Sequence, residues 1–163
     1  MKKLINIVLR TIGHAVPLNP VFDRLYKGIV PNILPNNEVI LAYRGSKFRL
    51  FRTVPHTLLN QPDYYIYYFG MWEPRQTRAV SRLVKRSDIC LDIGANIGWY
   101  TMLLSKLVGD TGAVHAFEPD PRAFFMLSDN VTLNEGPSNI VLNKIGLSKI
   151  AGSGTLFTIP ESL

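Results

Sequence analysis

The chain has 163 residues, of which 47% are hydrophobic and 18% charged, with a formal net charge of +6. That composition excludes a disordered or collagen-like chain, and the length suits one domain of ordinary size better than two well-cored ones. A single cysteine, Cys90, excludes an internal disulfide. With three scattered histidines it offers no zinc site, so no metal is expected, and a reducing, cytoplasmic setting is expected.

The opening Met1-Lys2-Lys3 leads into a short apolar run, Leu4 to Leu9, which Arg10 and His14 interrupt too early for a secretory leader. No stretch approaches the roughly 18 apolar residues needed to cross a bilayer. The run reads as a helix packed on its own domain, with contact to a membrane surface as the lesser alternative. Pro17, Pro20, Pro31 and Pro35 then limit any helix to short pieces. Between Glu38 and Val54, the runs Val39 to Tyr43 and Phe48 to Phe51 flank Arg44-Gly45-Ser46-Lys47, which predicts a β-hairpin. Asp63 to Gly70 holds four tyrosines and Phe69, as either a helix or an extended aromatic wall. Residues 1–62 therefore read as an N-terminal region of short helices and a hairpin, and residues 63–163 as the start of a second, α/β domain.

From Trp72 onward the pattern sharpens. Pro74 at a first helical position and the run Arg75 to Arg86 predict a helix. Ile89 to Ile93 is a short apolar strand, expected to be buried. Tyr100, Leu103, Leu104 and Leu107 fall on one helical face, and Gly109 suits the C-terminal cap. Ala113 to Phe117 makes a second strand ending at Glu118. Asp120 and Pro121 open another helix as cap and first residue, Asn134 to Pro137 end it, and Ile140 to Ile145 is a third strand. Thr155 to Ile159 suits a further edge strand. The order β-α-β-α-β implies parallel strands with right-handed crossovers, a Rossmann-like sheet with helices on both faces.

Charge is unevenly placed. Residues 1–87 hold 14 Lys/Arg and 4 Asp/Glu, a balance of +10, whereas residues 88–163 hold 4 and 8, a balance of −4. Such a front half suits an anionic partner, yet Arg75, Arg78, Arg82 and Arg86 are equally explained as the solvated face of one helix. No base-reading motif accompanies them, and no nucleic-acid partner is expected.

The chemistry concentrates at Leu91-Asp92-Ile93-Gly94-Ala95-Asn96-Ile97-Gly98, where a strand runs through a loop into a helix. Gly94 and Gly98 lack Cβ atoms, so the backbone turns sharply and approaches a ligand closely. The helix start that follows offers N–H groups to a carboxylate or phosphate. Glu118 ends the next strand, 20 residues after Gly98, where a carboxylate accepts both hydroxyls of a ribose. An ordinary turn, a capping aspartate and a solvated loop acid explain each feature singly, but not all of them in this order. A dinucleotide-binding dehydrogenase is the nearest competitor. Its Gly-x-Gly-x-x-Gly loop needs a third glycine, and three residues after Gly98 stands Thr101.

Three pieces resemble the FkbM-type S-adenosylmethionine-dependent methyltransferases, a class I Rossmann-like family. Asp92 to Tyr100 is similar to the family's glycine loop, Ala116 to Pro121 to its ribose-binding segment, and Gly70-Met71-Trp72-Glu73-Pro74 to an upstream Gly-x-aromatic-Glu-Pro stretch. The likeness covers about Gly70 to Leu163. It implies S-adenosylmethionine as cofactor, held by Asp92, Gly94, Asn96, Gly98 and Glu118, with Glu73 at the methionyl end and Asn143 to Gly146 near the adenine. It also implies methyl transfer to a hydroxyl of a small molecule, sugar or lipid-linked glycan. The family's fourth-strand Asp-x-x-Lys-x-Asp-x-Glu-Gly segment has no counterpart after Ile145. In the family that strand pairs beside the first, so without it Ile89 to Ile93 would be an exposed apolar edge, which folded proteins avoid. The resemblance therefore implies a chain incomplete at its C-terminus, with the acceptor-binding half and any general base outside it. No catalytic residue is assigned: His14 and His56 are candidates by type only, and His115 reads as structural. Two alternatives stand beside the methyltransferase, a non-catalytic remnant and a nucleic-acid methyltransferase whose Tyr64 to Phe69 stacks bases.

Overall fold

The computed structural model describes residues 39–50, 66 and 70–157. The expectations for the N-terminal run, for His14 and His56, and for most of the aromatic segment after Asp63 lie outside these residues. The chain divides into two compact units, one of Met1–Leu41, Leu50–Trp72 and Glu161–Leu163, the other of Ala42–Arg49 and Glu73–Pro160. In the first, Ile66 is buried and its carbonyl accepts the Gly70 amide at 2.9 Å. Everything that follows on the site concerns the second.

Strands β1 (Val39–Tyr43) and β2 (Ser46–Leu50) form a two-stranded sheet. The turn between them is tighter than the sequence predicts. Arg44 and Gly45 alone make it, both at positive φ (48° and 80°), as a two-residue hairpin turn requires. Ser46 and Lys47, expected in the turn, therefore belong to β2.

Helix α1 (Pro74–Leu83) starts with proline in its first turn as expected but stops three residues before Arg86. Val84 is extended, and the Lys85 amide turns onto Asp88 Oδ2 at 2.9 Å, which ends the helical ladder. Only Arg75, Arg78 and Arg82 lie on the helix and face water. Arg86 instead sits beside Gly109, where a built Cβ would lie 3.2 Å from its Nη2.

The core is a parallel sheet in the order β3-β4-β5, of β3 (Ile89–Ile93), β4 (Ala113–Phe117) and β5 (Ile140–Asn143). Helix α2 (Trp99–Val108) joins β3 to β4, and α3 (Pro121–Leu133) joins β4 to β5. Both α3 caps match their sequence signals: Asp120 Oδ1 accepts the amides of Arg122 (2.8 Å) and Ala123 (3.1 Å), and Asn134 closes the other end. The register pairs Asp92 with Ala116 and Ala116 with Leu142. One side of the sheet is therefore Cys90, Asp92, Val114, Ala116, Ile140 and Leu142. Leu104 and Val108 of α2, Val80 of α1 and Val84 just after it pack on that side, around buried Val114.

Strand β3, an apolar run that suits burial, is the exposed edge expected where a fourth strand is lacking, with Ile89, Leu91 and Ile93 74%, 60% and 63% exposed on the open side. Two expectations need correction, at the third strand and after residue 150. The third strand ends at Asn143 instead of Ile145, and residues 151–157 carry no regular secondary structure where an edge strand was expected.

Candidate functional site

The β3–α2 loop owes its shape to three left-handed residues: Gly94 (φ 79°), Asn96 (φ 49°) and Gly98 (φ 90°). Glycine is free at such angles, and asparagine is among the few other residues that tolerate them. The two glycines serve different ends. Nothing lies within 4 Å of a Cβ built at Gly94, whereas one at Gly98 would lie 2.7 Å from Leu127 Cδ1 of α3. Gly98 thus lets α3 approach the loop, a role the sequence reading gave to ligand access.

The loop's own amides are largely used within the fold. Those of Gly94 and Ala95 both donate to the Phe117 carbonyl, at 2.9 and 3.0 Å, which ties the loop to the end of β4. The Gly98 amide donates to Ala95 O at 2.8 Å. The donors left for a ligand therefore include those at the start of α2.

Glu118 and Asp92 sit where parallel α/β sheets hold ligands, at the carboxyl ends of adjacent strands. Both are buried. Glu118 Oε2 accepts the Asn96 amide at 2.8 Å and Oε1 accepts the Asp120 amide at 2.9 Å. Each oxygen keeps a further lone pair, so the carboxylate is fixed in orientation yet able to accept two hydroxyls. Asp92 Oδ2 accepts the Thr101 hydroxyl at 2.5 Å. Burial pushes the Asp92 carboxyl above its ordinary range, the hydroxyl and amide of Thr101 pull it back, and the neighbouring Glu118 charge raises it further. A buried carboxylate in that state favours a cationic neighbour. Thr101 was noted in the sequence only as a missing glycine, and its position nine residues after Asp92 is no signal without the loop geometry.

Glu73 takes the left-handed conformation (φ 40°) just before α1 and makes no capping bond with its side chain. Its Oε2 instead accepts the Tyr100 hydroxyl at 2.8 Å. Glu73, Asp92 and Tyr100 line one groove of about 510 Å³, whose apolar wall includes Val80, Leu91 and Leu104. The Tyr100 phenol is pushed up to about 12, by burial first and then by its bond to Glu73. Alongside, Trp99 Nε1 donates to the Thr77 hydroxyl at 2.9 Å, fixing α2 to α1 inside the core. Glu118 is bonded to the Asn96 amide of the Gly94–Gly98 loop and lies within electrostatic reach of Asp92, which with Glu73 lines the groove. Asn143 stands at the end of β5, its amide donating to Ala116 O at 3.2 Å. His115 lies half-buried within β4, away from the strand end. Among the described residues no group of histidine, cysteine or carboxylate side chains could hold a metal ion, and no helix is long and apolar enough to cross a membrane.

One further residue was invisible in the sequence. Asn130 of α3 is fully buried, its Nδ2 donating to Ile97 O of the loop at 2.9 Å and its Oδ1 accepting the Arg49 amide of β2 at 2.6 Å. Asn134, one turn on, pairs with both the amide and the carbonyl of Lys47 at 2.7 Å. Asp129 grips Arg49 Nη1 through both oxygens, at 2.8 and 2.9 Å.

The strand order and the helical crossovers define a Rossmann-like α/β fold. The structure of P. horikoshii TYW2 in complex with MeSAdo superposes with a TM-score of 0.51 over 83% of this chain and 53% of that one, at 16% identity. An S-adenosylmethionine-dependent O-methyltransferase of Thermotoga maritima gives a TM-score of 0.44 over 72% of this chain and 59% of that one, at 18% identity. In sequence, the chain is 34% identical over 71 residues to the methyltransferase sdnD of Sordaria araneosa, which is 44% of this chain and 27% of that protein. No family model matches the chain. The chain thus spans about a quarter of the curated relative and little more than half of these solved chains.

Proposed function

We propose that the chain binds S-adenosylmethionine in the Asp92–Glu118 cleft and belongs to an enzyme that methylates a hydroxyl of a small molecule, sugar or lipid-linked glycan. The observation that carries the reading is Glu118, a buried carboxylate oriented by the Asn96 and Asp120 amides with lone pairs to spare for the two ribose hydroxyls. In this reading Asp92 faces the methionyl ammonium, which offsets the cost of its burial. Gly94 and Asn96 shape the backbone around the ligand, Gly98 lets α3 close against the loop, and Glu73 and Tyr100 border the methionyl end. The likeness to the sdnD methyltransferase and to FkbM-type sequences supports the same cofactor.

When bound, S-adenosylmethionine would supply a methyl on a sulfonium, whose departure as a neutral thioether needs no further activation. What the chain's residues supply is position: the ribose fixed by Glu118 and the amino-acid end by Asp92. A hydroxyl acceptor also needs a base, and none of the described residues is assigned that role. Equilibrium binding of S-adenosylhomocysteine by calorimetry tests the reading. Saturable binding that Glu118→Gln weakens at least about tenfold is the expected result, and no binding by this chain or by one extended past Leu163 refutes it. Residues 1–87, with their balance of +10, favour a second reading with an RNA acceptor. It predicts RNA binding that weakens steeply with added salt.

A further inference from the structure

Basic residues before Asp88 outnumber what the cofactor cleft uses, and one of them meets a later lysine in a separate pocket. A cavity of about 240 Å³ lies between the hairpin and α2. Tyr43, Phe48, Leu103 and Leu107 form its apolar walls, Arg44 and Lys106 supply two cations, and Ser46 supplies a hydroxyl. It shares no lining residue with the groove beside Asp92.

Two observations point to an anionic ligand. No carboxylate lines the pocket, and neither Arg44 nor Lys106 is ion-paired with a described residue. Arg44 holds φ 48° at a turn position that favours asparagine or glycine, and strain of this kind persists where a site needs the side chain.

We propose that this pocket is a subsite for a phosphate monoester carrying a small apolar or aromatic group. The Arg44 guanidinium offers paired donors to phosphate oxygens, Lys106 a point charge and Ser46 a hydroxyl, while Tyr43, Phe48 and the leucines receive the apolar body. The volume suits a group the size of phenyl phosphate. A nucleic-acid backbone asks instead for an extended charged track.

The pocket has its own reporter, because Tyr43 and Phe48 both pack on Trp99, with ring centroids 4.7 and 5.0 Å away. Phenyl phosphate, inorganic phosphate and phenol are titrated into the whole chain, by calorimetry and tryptophan fluorescence at low salt. Phenyl phosphate should bind with a dissociation constant near millimolar, inorganic phosphate about tenfold more weakly, and phenol not measurably. Lys106→Ala and Arg44→Gly should each weaken phenyl phosphate about tenfold. Arg44→Gly should also raise the melting temperature, because glycine relieves the turn, whereas a merely structural arginine would leave it unchanged or lower it. The proposal is overturned by the absence of saturable phenyl phosphate binding or by binding that neither variant alters. It is overturned equally by inorganic phosphate binding as tightly as phenyl phosphate. An unphosphorylated RNA oligonucleotide that binds through Arg44 and Lys106 more tightly than phenyl phosphate would assign the pocket to nucleic acid and also overturn it.

Discussion

Replacing Asn130 with alanine removes one buried side chain that holds two elements at once. Its amide donates to Ile97 O in the loop, and its oxygen accepts the Arg49 amide of β2. Ile97 is buried, so its carbonyl is left without water as a substitute and carries most of an unsatisfied group's penalty. Arg49 is partly exposed, so water replaces part of what its amide loses. At about 1–3 kcal/mol for each unsatisfied buried group, discounted for Arg49, the variant should lose about 2–4 kcal/mol. For a chain of this size that corresponds to a melting point lower by roughly 5–15 °C. Urea unfolding monitored by circular dichroism should show an earlier midpoint with an unchanged slope. Asn134→Ala, whose bonds to Lys47 lie in water, should cost only about 1 kcal/mol. A loss under about 0.5 kcal/mol for Asn130→Ala, within the range of ordinary surface changes, would refute the argument that this side chain ties loop to hairpin.

Further outcomes follow from the site. Glu118→Gln turns an NH₂ toward the Asn96 or Asp120 amide and removes the charge, so S-adenosylhomocysteine affinity should fall at least about tenfold by calorimetry. Asp92 has its carboxyl raised in the folded state, by burial first, so its ionisation opposes folding as pH rises through that value. Asp92→Asn should accordingly raise stability at neutral pH while weakening the ligand, and a variant that loses both would contradict this balance. Gly98→Ala combines a positive φ with a contact of 2.7 Å to Leu127 and should cost about 2–3 kcal/mol. Adding Leu127→Ala should recover none of the conformational strain, so chemical denaturation of the double variant should fall below either single one. The Tyr100 phenol is raised to about 12 in the folded chain, so its contribution is fully present below pH 10 and is lost between about 10 and 12. Phenolate absorbance should show one tyrosine titrating late, and Tyr100→Phe should remove it.

The loop and the strand–helix alternation were legible because each had a local cause. Gly94 and Gly98 mark the positive φ angles, Asp120 and Pro121 mark a helix start, and five-residue apolar runs mark β3 and β4. The roles within the loop were less legible. Gly98 is required by Leu127, 29 positions later in the chain, and no local pattern encodes that contact. Asn130 and Asn134 read as ordinary polar residues of a helix until the fold brings the hairpin against them. The length of α1 was overestimated because the Arg75 to Arg86 spacing continues past the point where Asp88 captures the Lys85 amide. The exposure of β3 follows from which strand pairs beside it, because an apolar strand by itself looks the same in sequence whether one face or two are covered.

The open side of the sheet has a thermodynamic consequence. In a sheet packed on both faces, each strand residue leaves water whichever way it points. On β3 every second residue, Ile89, Leu91 and Ile93, stays largely hydrated in the folded chain. Unfolding therefore uncovers less new apolar surface at β3 than at a strand covered on both sides, and the contribution of β3 to the heat-capacity increment is correspondingly small.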